Sequence, residues 1–208
     1  MRTDGAAPLS SSGRRVESDL RANGEQMRAF KTVCAVAVVA AVSGCSSALF
    51  GRHQVAAASA SLSDVGGHAV GTAQLWQGDD GAVHVDVRAT RLTPGMHGIH
   101  FHAVGSCEGA AATPFSAAGS HYNPLGKQHG LNNASGPHAG DAPNLEVGAD
   151  GTGHLSFTTN RITLVTGPTS LFDSDGSAIV IHGGADDQTS QPAGNSGARV
   201  ACGVVRAT

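Results

Sequence analysis

The chain has 208 residues, a formal net charge of −3 with its eleven histidines counted as neutral, and 29 glycines against one Trp, one Tyr and six Phe. This length suits one sizeable domain. The sequence has no basic patch, which argues against nucleic-acid binding. The many glycines, and the lack of a sustained helical apolar pattern outside residues 27–44, argue against a helical bundle.

The N-terminal region has the features of a targeting segment. Residues 1–26 are polar and patternless, and we predict that they are a non-structural extension, because Met27 opens a more regular sequence. The apolar run at residues 32–42 is shorter than the about 20 residues needed to span a bilayer, so residues 27–44 are typical of a secretory signal. The run ends in Val-Ser-Gly followed by Cys45, which resembles the bacterial lipoprotein signal. An ordinary signal peptide with an incidental cysteine is the alternative.

The lipoprotein interpretation predicts where the protein resides. Export followed by lipidation of Cys45 would place it on the extracytoplasmic side of a bacterial cell membrane, held by an N-terminal lipid anchor. One acyl chain anchors a protein only marginally, whereas two or more hold it at the membrane. We expect residues 45–66 to form a tether that includes a first strand, and residues 67–208 to form the functional domain.

The chain has four cysteines, two of which belong to the targeting region. Cys34 lies in the signal and Cys45 is the predicted lipid site, which leaves Cys107 and Cys202. Such a pair is expected to be bridged in an exported protein. Because the closed loop is long, the bond could contribute about 4 kcal/mol of stability. The alternative is that both cysteines are metal ligands.

The remaining sequence predicts about eight short strands and no clear helix. Alternating apolar and polar residues, with turn signals such as Asp79-Asp80-Gly81, mark the strands. The predicted strands are residues 54–65, 68–77, 82–88, 96–104, 144–147, 154–158, 177–182 and 199–206. Two long Gly-rich loops, residues 105–143 and 183–198, separate some of them, and loops of this length are often functional. This pattern is typical of an antiparallel sandwich or barrel.

Seven side chains that suit a metal ion lie on one strand, in the first long loop and at the end of another strand. They are His100, His102, His121, His129, His138, Asp141 and His182. His100 and His102 project from the same face of a strand, although two solvated histidines would give the same pattern. Together with His182 they form an all-imidazole set, which suits copper. The three loop histidines and Asp141 form an N3O set, which suits tetrahedral zinc. If His121 lies between the sets, each of its ring nitrogens can serve one metal.

The segments around these residues resemble the copper/zinc superoxide dismutase family, from about residue 67 to the end of the chain. The matching segments are Gly98–His102, Gly119–Pro124, His129–Gly130, His138–Asp141, Ile181–Asp187 and Gly194–Gly203. The number and spacing of these matches make the resemblance specific. It implies an all-β fold, an eight-stranded antiparallel Greek-key sandwich or flattened barrel with two long functional loops.

The resemblance also implies a role for each matching residue. The copper ligands it implies are His100, His102, His121 and His182, and the zinc ligands are His121, His129, His138 and Asp141. Asp186 would join His100 to His129, and such partners orient ligand rings. Arg199 would attract the anion above the copper. Cys107 and Cys202 match the family's disulfide, and His97 matches a position near the copper that is not a ligand.

The activity implied is the disproportionation of superoxide to oxygen and hydrogen peroxide, with copper alternating between two oxidation states and His121 carrying a proton. A rival hypothesis is a non-catalytic copper-binding module on the same fold, which needs only the ligands. A purely structural zinc domain would leave the all-imidazole set unexplained. The segment between Cys107 and His121 is longer than in the cytosolic eukaryotic enzymes, and residues 183–198 contain two acids and no lysine. A lipid-tethered monomer and a homodimer both fit the sequence.

Overall fold

The computed structural model describes residues 53–208, so the predictions for residues 1–26 and 27–44 and for Cys45 lie outside the described part. Within that part, no helix is long and apolar enough to cross a membrane. Its regular structure consists of strands and one three-residue 3-10 turn, Ser116–Ala118. The domain is therefore built almost entirely from strands and loops.

Within residues 53–208, ten strands form one antiparallel sheet. They are β1 Gln54–Asp64, β2 Ala69–Gly78, β3 Val83–Ala89, β4 Gly95–His97, β5 Ile99–His102, β6 Leu145–Val147, β7 Gly153–Thr159, β8 Ala178–His182, β9 Arg199–Val204 and β10 Arg206–Ala207. Their spatial order is β4-β6-β7-β3-β2-β1-β9-β8-β5, with β10 paired to β1. Because only Gly98 separates β4 from β5 in the chain, the two ends of this order meet and the sheet forms a nearly closed barrel.

The predicted all-β antiparallel class is confirmed, and the strand count differs because two predicted strands are interrupted. The strand expected at residues 96–104 is split at Gly98, whose N–H donates to the carbonyl of Gly184 and whose carbonyl accepts from His182. The last strand is interrupted at Val205, whose N–H donates to the carbonyl of Ser177. At both interruptions a backbone N–H group donates to a residue in another part of the chain.

Alternation of apolar and polar residues accounts for the core. On β3, Val83, Val85 and Val87 are fully buried, whereas the polar residues between them face outward. β1 and β2 follow the same pattern, and their inward residues join one apolar cluster inside the barrel. Burial of this apolar surface is the main favourable term in folding.

β5 differs from β3 because both of its faces are covered. Ile99 and Phe101 belong to the barrel core, whereas His100 and His102 project to the opposite face and are also buried. The loop between β5 and β6 and the loop between β8 and β9 supply the groups that contact these two histidines. The barrel wall and the two long loops therefore enclose a polar layer that contains the predicted metal ligands.

We expect Leu62→Ala to lower the free energy of unfolding by about 2–5 kcal/mol, because it deletes a fully buried side chain and leaves a cavity. The measurement is urea denaturation of the purified protein. Ser61→Ala, at the exposed neighbouring position on β1, is the matched control and should change the free energy by less than about 0.5 kcal/mol. A loss below about 1 kcal/mol for Leu62→Ala would contradict this placement of the core.

Candidate metal centre

Two adjacent strands place three of the predicted ligands on one face. β5 and β8 pair antiparallel with His100 opposite Val180, and the N–H of His182 donates to the carbonyl of Gly98 at 2.8 Å. His121 comes from the first long loop, which meets β5 through an isolated bridge between His102 and His121. The barrel thus supplies a rigid base for three imidazoles, and the loop brings the fourth to them.

Four buried histidines form the first set: His100, His102, His121 and His182. One nitrogen from each ring lies within 4.8 Å of the others. These nitrogens are Nδ1 of His100 and Nε2 of the other three, and all four are buried without a hydrogen-bond partner in the described part of the chain. Buried polar groups are normally bonded, so four unpartnered nitrogens on four neighbouring rings fit a group that could hold a metal ion.

The second nitrogen of each strand histidine fixes the tautomer of the ring. His102 Nδ1 donates to the carbonyl of Gly119 at 3.0 Å, and His182 Nδ1 donates to the carbonyl of Gly197 at 3.2 Å. His100 Nε2 donates to Asp186 at 2.7 Å. Since carbonyl and carboxylate oxygens only accept, the opposite nitrogen of each neutral ring keeps its lone pair directed at the set.

Burial keeps these three imidazoles neutral. It lowers the pKa of His100 to about 3, that of His102 to about 2 and that of His182 to about 4. Hydrogen bonds to Asp186, Gly119 and Gly197 act in the opposite direction, and the neighbouring His121 adds to the lowering. Metal ligands must be deprotonated, so these rings are in the state that binds a metal at neutral pH.

A single carboxylate oxygen organises the second set. Oδ1 of Asp141 lies 3.1 Å from Nδ1 of His121, 2.9 Å from Nδ1 of His129 and 3.4 Å from Nδ1 of His138. Oδ2 accepts the N–H of Gly130 at 2.8 Å and that of His138 at 2.9 Å. Ligands about 2.0 Å from a tetrahedral zinc ion are about 3.3 Å apart. The donor set and its spacing therefore fit zinc.

His100 and His138 both lie near this second set. His100 stacks on His121 with ring centroids 3.8 Å apart, and the donor atoms of His100, His121, His129 and Asp141 lie within 4.8 Å of one another. However, Nε2 of His100 donates to Asp186. Nδ1 of His138 is buried without a hydrogen-bond partner among the described residues. Nδ1 of His100 is also unpartnered but belongs to the first set, so the unpartnered Nδ1 of His138 makes it the better fourth donor to the second set.

Asp186 contacts one histidine of each set, the position that the family resemblance implies for it. Its Oδ2 accepts from His100 at 2.7 Å, and its Oδ1 lies 3.0 Å from Nε2 of His129. Asn144 holds its backbone through two hydrogen bonds of 2.8 Å. Gly194 has a φ of +63°, and a Cβ there would overlap Oδ1 of Asp186, so this turn accepts only glycine.

The two buried carboxylates and His129 shift one another's pKa values towards the charged forms. Burial raises the pKa of both carboxyl groups, but hydrogen bonds with His121 and His129 outweigh it for Asp141, and bonds with His100 and His129 outweigh it for Asp186. Both pKa values therefore lie well below the ordinary range. Burial lowers the pKa of His129, but Asp141 and Asp186 together raise it to about 9. His129 is therefore protonated at neutral pH without a metal, and a divalent cation attracted by the two carboxylates would replace its proton on binding.

Arg199, at the start of β9, is held beside the first set by two main-chain carbonyls. Its guanidinium donates to the carbonyl of Phe115 and to that of Gly119, each at 2.5 Å. The carbonyl of Gly119 also accepts from His102, so the cation and a ligand share one acceptor. The role of Phe115 could not be predicted from the sequence, because a contact made by a backbone carbonyl is open to any residue type.

The Cys107–Cys202 disulfide is present and joins the first long loop to β9. Beside it, Phe115, Ala118, Ala178 and Val180 form a second, smaller apolar cluster. The same loop segment supplies both carbonyls that hold Arg199. The bond therefore fastens the segment that positions the cation, and the metal-thiolate alternative for the two cysteines is excluded.

Comparison with known proteins identifies relatives along most of the described chain. A model of the copper/zinc superoxide dismutase (SODC) family matches residues 69–205. A superoxide dismutase-like protein of Bacillus subtilis (strain 168) is 43% identical over 141 residues, 67% of this chain and 70% of that protein. A Cu-Zn superoxide dismutase of Aquifex aeolicus (strain VF5) is 42% identical over 142 residues, 67% of this chain and 82% of that protein. The crystal structure of a SOD-like protein from Bacillus subtilis superposes with a TM-score of 0.65 at 42% identity, covering 70% of this chain and 96% of that one.

We expect His138→Ala to weaken zinc binding by more than about 100-fold, because losing a direct ligand should exceed the 10- to 100-fold effect of losing a supporting contact. Zinc titration of the purified protein measures the change. His154→Ala is the matched control, since His154 is exposed and pairs with Asp86 on the outer face of the barrel. Equal zinc affinity in the two variants would exclude His138 as a ligand.

Proposed function

Because the chain belongs to the copper/zinc superoxide dismutase family, we propose that it is a superoxide dismutase, which converts two superoxide ions and two protons into oxygen and hydrogen peroxide. The observation that carries the proposal is a group of four buried histidines that lie together and each have one unpartnered ring nitrogen. Such a set offers four neutral imidazoles, a donor type that suits copper.

The residues divide between two metals in this proposal. Copper would be held by His100, His102, His121 and His182, and it would supply the one-electron exchange with superoxide. Zinc would be held by the second set, which His121 joins through its Nδ1. Asp186 orients a ring of each set, since it accepts from His100 and lies against His129. Partners of this kind tune and orient metal ligands.

His121 is the residue that we propose carries a proton. Its Nδ1 lies 3.1 Å from Oδ1 of Asp141, and its Nε2 faces the first set without a hydrogen-bond partner in the described part. One ring edge is therefore fixed, and the other is available at the place where superoxide reacts. A proton held at Nε2 could pass to the reduced oxygen product over a short distance.

Arg199 supplies the positive charge that an anionic substrate needs. The described domain carries more acidic than basic residues, so attraction of superoxide depends on local rather than overall charge. The guanidinium is anchored beside His102 through the shared carbonyl of Gly119. A protein that only stores copper has no need for an anchored cation at this place, which favours the enzyme over the copper-binding rival.

The protein loaded with copper and zinc is expected to consume superoxide rapidly and in a cyanide-sensitive manner. Arg199→Ala should lower the second-order rate constant at least several-fold with metal content unchanged, since a local charge raises the association rate of an anion by about 10-fold or more. Pulse radiolysis measures the rate. Arg206→Ala, on exposed β10, is the matched control and should retain the wild-type rate.

Two results would contradict parts of this proposal. Stoichiometric copper with no superoxide consumption in the wild-type protein would support the non-catalytic copper-binding module. An unchanged rate in Arg199→Ala would remove Arg199 from the mechanism and leave the metal assignments in place.

We also propose that the mature protein begins at a lipidated Cys45 and is exported to the extracytoplasmic face of a bacterial membrane. The support is the sequence from the apolar run to Val-Ser-Gly-Cys, which resembles the lipoprotein signal. Residues 45–53 then separate the lipid from the start of β1 at Gln54. The anchor would leave the barrel free in the adjoining aqueous compartment.

Cys45→Ser should release the exported protein from the membrane fraction, because no thiol remains for acylation. Fractionation of expressing cells, followed by immunoblotting, measures the distribution. Cys34→Ser removes a cysteine inside the apolar run and should leave the protein membrane-bound. Retention of Cys45→Ser in the membrane fraction would show that the lipid assignment is wrong.

A further inference from the structure

Arg161 is a partly buried cation that the proposed chemistry does not use. It follows β7, and its guanidinium Nη2 donates to the main-chain carbonyl of Asp141 at 2.6 Å. Its Nε is buried and has no hydrogen-bond partner within residues 53–208. An arginine that loses hydration without full compensation is costly, so its contact with Asp141 calls for a physical explanation.

We infer that Arg161 is a positioning residue for the zinc half of the site, which it serves by holding the main-chain carbonyl of Asp141. This inference rests on the proposed assignment of Asp141 as a zinc ligand. Asp141 makes contacts through three of its oxygen atoms. Oδ1 faces the imidazoles, and Oδ2 accepts two backbone N–H groups. Its main-chain carbonyl accepts from Arg161. The direction of the carboxylate depends on the orientation of the backbone to which it is attached.

The neighbouring contacts make Arg161 a suitable anchor. Its own N–H lies 3.2 Å from Oγ1 of Thr159 at the end of β7, and the next residue, Ile162, is almost fully buried in the barrel core. The guanidinium therefore extends to a loop residue from a bend just after β7, whose ends are held by Thr159 and by the buried Ile162. Precise sites depend on supporting groups whose own positions are fixed by packing.

A second physical effect acts in the opposite direction. A guanidinium close to the site would repel a divalent cation, so its removal would tighten zinc binding if charge were its main influence. If the hydrogen bond to Asp141 is the main influence, its removal would loosen the carboxylate and weaken zinc binding. The sign of the change in zinc affinity therefore distinguishes the two effects.

The test is zinc and copper titration of the purified full chain carrying Arg161→Met or Arg161→Lys. We expect Arg161→Met to raise the zinc dissociation constant about 10- to 100-fold, the usual effect of losing a supporting contact, with copper affinity changed less than about 2-fold. Arg161→Lys should recover part of the loss, because an ammonium group can donate to the same carbonyl. Arg206→Met is the matched control and should bind both metals as the wild type does.

A spectroscopic readout separates positioning from a general loss of stability. Cobalt(II) placed in the zinc set should show an altered visible absorption spectrum in Arg161→Met and a nearly normal one in Arg161→Lys. Unchanged or tighter zinc binding in Arg161→Met, or equal weakening of copper and zinc, would overturn the inference. Wild-type protein that binds zinc without consuming superoxide would remove the proposed function while leaving this inference intact.

Discussion

The candidate metal centre depends on the contacts that the carboxylate of Asp141 makes with histidines and with backbone N–H groups. A buried carboxylate is tolerated only when its charge is compensated and its lone pairs are used. Oδ1 of Asp141 faces three imidazoles, and Oδ2 accepts two backbone N–H groups. Nδ1 of His121 lies against this carboxylate while its Nε2 belongs to the four-histidine set, so one ring joins the two sets. Through its carbonyl and Arg161, the same residue connects the first long loop to the end of β7.

The barrel strands position three of the histidines, and the loops position Arg199 and Asp186. β5 and β8 hold three imidazoles on a surface whose other side is the apolar core. The disulfide and the small cluster around Phe115 fasten the loop that holds Arg199. Asp186, one of the two acids of the second loop, is buried, and both of its carboxylate oxygens contact histidines. Its charge is therefore offset within the site, and Arg199 remains the cation anchored beside the first set.

Most of the strands and the candidate metal ligands could be predicted from the sequence, because strand alternation and ligand type are properties of side chains. The alternating Val83, Val85 and Val87 indicated β3, and the spacing of His100 and His102 indicated a shared face. The break at Gly98 was missed because it arises from backbone hydrogen bonds to Gly184 and His182. The same reason explains the missed contacts of Phe115 and Arg161, each of which involves a main-chain carbonyl that any residue could offer.

In the proposed function two metals share His121, whose Nε2 is unpartnered among the described residues and whose Nδ1 lies 3.1 Å from Oδ1 of Asp141. Electron paramagnetic resonance of the protein with copper(II) in the first set and cobalt(II) in the second tests whether one imidazole is bound to both ions. An imidazole ring bound to both ions would couple their spins, so the account predicts that adding cobalt strongly diminishes the copper signal. A copper signal that persists unchanged beside stoichiometric cobalt would contradict a shared histidine.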